Sequence, residues 1–264
     1  MSGFDAIKLD AHPAEAAATL RLNRPDKRNA LNAEMFRALM GALDKLREDA
    51  DVRCVFLRGE GTAFCAGADL EEVRAIATAT PGQNRESAAL VRDALLRLYE
   101  FPKPTIALVH GPALAGGAGL AGCCDYVIAA QDATFGYPEV KIGFIPAIVM
   151  VLLTRQVGER HARDLCLSGR TIDAAEAHRM GLVYKVVPAQ ELEATGHELA
   201  RQLRKNSPMA MATVKSMFAG LYDKSLEGAL DRAVTLNALS RDTAECKEGI
   251  AAFLERRKPS WKPQ

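Results

Sequence analysis

The 264-residue chain is 48% hydrophobic and 25% charged, the composition of a soluble globular protein with a full core. Its 34 basic and 33 acidic residues leave a net charge of +1, so no global field points to nucleic acid or to a membrane surface. The N-terminal Met-Ser-Gly-Phe-Asp has no basic flank and no apolar stretch, unlike a signal peptide. The longest apolar run, Ile142 to Leu153, contains Pro146 and falls short of the roughly 20 residues a membrane helix needs.

In chain order, residues 6–10 and 17–22 read as a hairpin around His12-Pro13. Asn23 to Asn29 is turn chemistry, and Asn32 is an N-cap for a helix with a stripe at Met35, Leu39, Leu43 and Leu46. Val52 to Leu57 is a buried strand. The small-residue turn Ala63 to Asp69 follows it and leads into a helix over 69–76. Residues 78–86 read as a mobile loop before a helix over 87–100. Thr105 to His110 is a strand, Gly111-Pro112 a turn and 116–124 a small-residue helix. Tyr126 to Ala130 is a strand, and Phe135 begins another. This alternation, with nearly continuous apolar strands, indicates an α/β layered core.

Near residue 195 the strands stop, so the chain divides into a core over 1–195 and a helical region over 196–264. Ser207-Pro208 starts one helix and Ser225 another. Asp242-Thr-Ala-Glu245 resembles a capping box for a last helix ending near Arg257.

The six cysteines follow no metal spacing, and the five histidines lie apart from one another. The cysteines read as reduced core residues, which fits a cytoplasmic protein. His110 and His178 read as structural, since neither has a nucleophile or metal cluster beside it.

Two places carry the pattern of a site. At Cys65-Ala-Gly-Ala68-Asp69 and again at Gly116, a strand or turn meets a helix whose first amides have no internal partner. Small residues there let a ligand approach the backbone. Two such amides converging on one oxygen form an oxyanion hole. Glu139 follows, a carboxylate in an otherwise apolar segment rich in turn residues. Each signal taken singly is weak; their order carries the argument.

The motifs in that order resemble the crotonase superfamily of enoyl-CoA hydratases and isomerases. Leu22-Asn-Arg-Pro-Asp-Lys-Arg-Asn-Ala-Leu31 is similar to its opening motif, and Ala63-Phe-Cys-Ala-Gly-Ala-Asp-Leu70 to its first oxyanion loop. His110-Gly-Pro-Ala-Leu-Ala-Gly-Gly-Ala-Gly-Leu120 resembles the second loop, and Phe135 to Gly143 the catalytic strand. Ala174 to Val183 resembles a later helix turn, and Lys247 to Pro259 the closing helix.

The resemblance implies a spiral of repeated ββα units with a C-terminal helical appendage, assembled as trimers or dimers of trimers. It implies an acyl-CoA thioester as substrate and no separate cofactor, coenzyme A being part of that substrate. The amides of Ala68 and Gly116 would hold the thioester oxygen, and Glu139 would be general acid and base. Ala66, Asp69, Leu70, Gly117 and Tyr137 would border the substrate. Asp69 also reads as a helix cap and Tyr137 as packing. Lys27 and Arg28, with Arg24, suit the phosphates of coenzyme A, or form a charged surface turn.

The ordinary hydratase pattern carries a second glutamate where this chain has Gly119. A lone carboxylate favours moving one proton along the acyl chain, which is isomerase chemistry. The surrounding residues resemble the branch containing methylglutaconyl-CoA hydratases, which favours hydration. Hydration is narrowly preferred here, with isomerisation second. A silent CoA-binding protein is the reading from another class; there, Glu139→Gln would leave turnover unchanged.

Overall fold

The computed structural model describes residues 5–261. Strands β1 (Ile7–His12) and β2 (Ala17–Leu22) pair antiparallel, with Ile7 opposite Leu22. A 3-10 turn at Pro13–Glu15 joins them. Helix α1 (Ala33–Glu48) starts where Asn32 accepts the N–H of Met35 at 2.9 Å. There follow β3 (Cys54–Gly59), α2 (Leu70–Thr78), α3 (Pro81–Tyr99), β4 (Thr105–Val109), the two-residue β5 (Ala113–Leu114) and α4 (Gly116–Cys123). Next come β6 (Tyr126–Ala130), β7 (Thr134–Gly136), α5 (Ala147–Ser168), β8 (Thr171–Asp173), α6 (Ala174–Arg179) and β9 (Lys185–Val187). Helices α7 (Leu192–Leu203), α8 (Pro208–Ala219), α9 (Leu226–Arg241) and α10 (Ala244–Leu254) complete the chain.

The six-stranded sheet has the order β1-β2-β3-β4-β6-β9 and is parallel from β2 onward. A second sheet, β5-β7-β8, is mixed as well. Alternation along the strands builds two cores. Val55 and Leu57 of β3, with Ala107 and Val109 of β4, face the larger core beneath α1, α3, α4 and α5. Cys54, Phe56, Ile106 and Leu108 face the other side, where α7 closes the sheet with Leu192 and Ala200. Both faces are covered, which is why these strands read as continuous apolar runs. Helix α7 straddles residue 195 and packs on the sheet.

Three expectations need correction. Most of the segment expected to be a mobile loop is helix: Thr80 and Gln83 form a capping box and Pro81 occupies the first turn, so α3 begins six residues earlier than expected. The last helix is capped by Thr243, which accepts from Cys246 N–H, and it ends at Leu254. Glu245 turns instead to α8, accepting from the Ser207 hydroxyl and from Met209 N–H. Finally, Glu139 does not lie on a strand. Pro138 cannot donate to a ladder and its fixed φ suits a helical turn, so the chain leaves β7 at Gly136 and winds into a 3-10 turn over Pro138–Ile142.

Candidate active site

The segments around Ala68 and Gly116 are laced together by the backbone. Cys65 N–H donates to Pro112 O at 3.1 Å, and Leu114 N–H donates to Cys65 O at 2.9 Å. Glycine makes the contact possible: a Cβ on Gly117 would overlap Cys65, and one on Gly67 would lie 2.9 Å from Ala115 Cβ. Gly67 also needs its φ of +93°.

Each amide is left free by its surroundings. Leu31 donates to Gly67 O at 2.7 Å and accepts from Asp69 N–H at 2.8 Å, bracketing Ala68. In such a parallel bridge the bracketed residue's own N–H points to the other side. Gly116 is the first residue of α4, and its N–H has no turn before it to bond. Among the described residues neither N–H has a hydrogen-bond acceptor.

The first loop is held from below by Asn29, which sequence reasoning passed over as turn chemistry. It is fully buried at φ 55°, a conformation asparagine tolerates better than most residues. Its side-chain nitrogen donates to the carbonyls of Glu60 and Ala63 at 2.8 and 2.9 Å, and its oxygen accepts from Arg24 N–H at 3.0 Å. The signal was available: an Asn after two basic turn residues is a candidate for positive φ.

Asp69 is buried and caps α2, accepting from Glu71 N–H at 3.0 Å and pairing with Arg24 at 2.7 Å. The amide of Glu71 and the Arg24 guanidinium hold its carboxyl below the usual aspartate range. Lys27 reaches the same carboxylate at 3.5 Å and Glu71 at 3.3 Å. Arg24 and Lys27 are therefore engaged with the loop's own acids, whereas Arg28 is exposed. Glu72 accepts from Ala33 N–H at the start of α1 at 3.1 Å. Ala66 is half-buried and Leu70 is 74% exposed beside the loop.

Glu139 sits on its 3-10 turn, half-buried, with Oε2 out of contact with water and without a hydrogen-bond partner among the described residues. Burial pushes its carboxyl above the usual glutamate value of 4.5, only partly offset by its own backbone N–H. Such a group is held ready to exchange a proton rather than to make an ion pair. Tyr137 lies in the core at 1% exposure, and burial raises its phenol; Cys166, Cys123 and Glu139 are its charged or ionisable neighbours. His110 and His178 bond the carbonyls of Gly61 and Val183 at 3.0 and 2.8 Å.

The space in front of Gly119 is filled. A Cβ there would overlap Val149 Cγ1, so the position of the expected second acid faces hydrocarbon from α5.

Two free amides and one half-buried, unpartnered carboxylate suit a carbonyl compound whose neighbouring carbon gains or loses a proton. Comparison with known proteins agrees. A protein of Thermus thermophilus, provisionally named an enoyl-CoA hydratase, is 44% identical over 92% of this chain and 96% of its own. The 1,2-epoxyphenylacetyl-CoA isomerase of Escherichia coli is 33% identical over 95% of this chain and 97% of its own. The crystal structure of an enoyl-CoA hydratase from Mycobacterium smegmatis superposes with a TM-score of 0.91 at 34% identity, covering 97% of this chain and 98% of that one. The spiral α/β fold with C-terminal helices is thus that of solved enoyl-CoA hydratases. With residues 13–264 matching the same group throughout, the chain belongs to the enoyl-CoA hydratase/isomerase family.

Proposed function

We propose that the protein adds water across the α,β double bond of a 2-enoyl-CoA, with Glu139 as its proton-handling group. The observation that carries this reading is the half-buried Glu139 Oε2, unpartnered among the described residues, on the turn that follows β7, whose Gly136 bonds one of two laced loops that each leave one amide free. Ala68 and Gly116 N–H bind the thioester oxygen. Glu139 takes a proton from water, and the water oxygen bonds to C3. The π electrons of the double bond move toward the carbonyl, giving an enolate whose charge rests on the oxygen facing the two amides. The same proton passes from Glu139 to C2, giving a 3-hydroxyacyl-CoA. A raised pKa suits a carboxyl that must accept a proton and then return it.

A second reading, double-bond migration between C2 and C4, uses the same residues and is favoured by the apolar filling at Gly119. Separate incubations with a 2-enoyl-CoA and a 3-enoyl-CoA distinguish them. Hydration predicts loss of the 2-enoyl chromophore with 3-hydroxyacyl-CoA formed. Its appearance from the 3-enoyl isomer without hydroxylated product contradicts hydration.

Further parts of the reading go with it. Gly119-Leu120 with Glu139 supports a place among single-glutamate hydratases such as those acting on methylglutaconyl-CoA. Lys27 and Arg28 would meet the coenzyme A phosphates, and Ala66, Asp69, Leu70, Gly117 and Tyr137 would border the substrate. Residues 1–195 would hold the site and 196–264 would complete it on assembly. Helices α8 and α9 bury no residue, and Leu226, Leu230, Val234 and Phe253 are exposed, which supports a homotrimer or dimer of trimers. Among the described residues no helix is long and apolar enough to cross a membrane, and the six free cysteines fit a cytoplasmic location.

A further inference from the structure

Three of the four glycines of α4 raise the same question, and the packing answers it differently for each. Gly116 gives a free amide, and Gly117 lies against Cys65. Gly119 has neither reason. It is helical, with its N–H bonded to Ala115 O at 3.0 Å, and a glycine inside a helix is less favourable than alanine. What requires glycine is Val149. Its Cγ1 occupies the place of a Cβ at position 119, its own Cβ lies 3.1 Å from that point, and Leu95 Cδ1 is next at 3.9 Å.

Val149 lies in the first turn of α5 and is 5% exposed. Helix α5 packs both on α4 and on the 3-10 turn that carries Glu139. Position 119 lies one helical turn beyond the amide of Gly116, on the same side of α4. A side chain there would start on the face of α4 that presents the Gly116 amide, and the isopropyl group of Val149 stands in its stead.

We infer that Val149 is a specificity-determining residue: it fills the α4 side of the site with hydrocarbon, excludes a second proton-handling side chain or water from it, and thereby sets how the bound acyl group divides between hydration and double-bond migration. This rests on the reading of Glu139 as the proton-handling group. Gly119 is then the mark in the sequence of a device built on another helix.

The test exchanges polarity and volume at one position and reads the product ratio. Val149→Thr keeps nearly the same shape and adds a hydroxyl that can hold a water. Val149→Ala removes two methyl-sized groups and opens room for a water, which occupies roughly 30 Å³ in the liquid. Each purified variant is given 2-enoyl-CoA and 3-enoyl-CoA separately, with thermal unfolding followed in parallel. The ratio of hydration to migration is expected to rise by about threefold to tenfold in Val149→Thr, the worth of one added hydrogen bond. A smaller rise is expected in Val149→Ala. Should Val149→Ala fail to fold, Val149→Thr carries the test. An unchanged or lowered ratio in folded Val149→Thr, with turnover still lost in Glu139→Gln, would overturn the inference and leave Val149 a packing residue. Full turnover in Glu139→Gln would instead overturn the reading of Glu139, and the inference with it.

Discussion

Ala115 N–H donates to Gly136 O at 2.8 Å, and this one bond ties the loop that presents the Gly116 amide to the strand that delivers Glu139. The Gly116 amide and the turn that carries Glu139 therefore share a frame. Ala115 reaches that bond at φ 50°, ψ −123°, a conformation L-residues avoid. Strain of this sort costs about 1–3 kcal/mol and is retained where it orients something. Ala115→Gly is expected to raise the unfolding temperature modestly, because glycine relieves the strain while losing about 0.5–1 kcal/mol to chain entropy. Activity should fall through kcat more than through KM, since the Gly116 amide is then less firmly aimed. Thermal unfolding and steady-state kinetics on the same preparation check both signs.

Glu139 makes a prediction about pH. Its folded pKa is raised above 4.5 by burial, so the native state holds this proton more tightly than the unfolded chain does. Stability contributed by this group therefore falls as pH rises from the unfolded value through the folded one. Glu139→Gln should be more stable than the parent at neutral pH, with the gain disappearing below about pH 4.5. In the parent, kcat/KM should rise with pH along an acid limb centred above the ordinary glutamate value. Unfolding temperatures and rates across pH 4 to 8 test the two halves separately.

Asp69 has the opposite sign. Glu71 N–H and Arg24 depress its pKa, so the stability it contributes is present above the ordinary value of 3.8 and is lost as pH falls through the lower folded value. Asp69→Ala should cost about 1 kcal/mol for the helix cap alone. A further loss follows from leaving the part-buried Arg24 without its acid. Denaturant unfolding gives the size, and the variant's weaker acid sensitivity gives the cause.

Gly119 and Val149 should behave as a coupled pair. Gly119→Ala forces a methyl into Val149 and is expected to destabilise by about 1–3 kcal/mol. Val149→Ala leaves a cavity and is expected to cost about 2 kcal/mol. The double variant should be more stable than the sum predicts, by about 0.5–3 kcal/mol. Additive losses in a double-mutant cycle would contradict the contact.

Much of this arrangement was legible in the residues. Asn32, Ser207 and Ser225 declare helix starts by their own hydrogen bonds, and the strands of the main sheet declare themselves by buried apolar runs. The free amides at Ala68 and Gly116 follow from small residues placed where a turn meets a helix. What was hidden depends on contacts across the chain. Pro81 began a helix expected only from residue 87, because caps act before the buried face begins. Glu245 left its own helix to cap α8. The meaning of Gly119 lay with Val149 on a different helix, and no local pattern joins the two.

In the proposed hydration, Glu139 alone carries the proton. The most direct test compares Glu139→Gln with the parent on a 2-enoyl-CoA, following 3-hydroxyacyl-CoA formation and confirming an intact fold by thermal unfolding. The expected loss in kcat is about 10²–10⁴, the usual contribution of a positioned acid–base group, with KM little changed. Formation of 3-hydroxyacyl-CoA by Glu139→Gln at the parent's rate would contradict it.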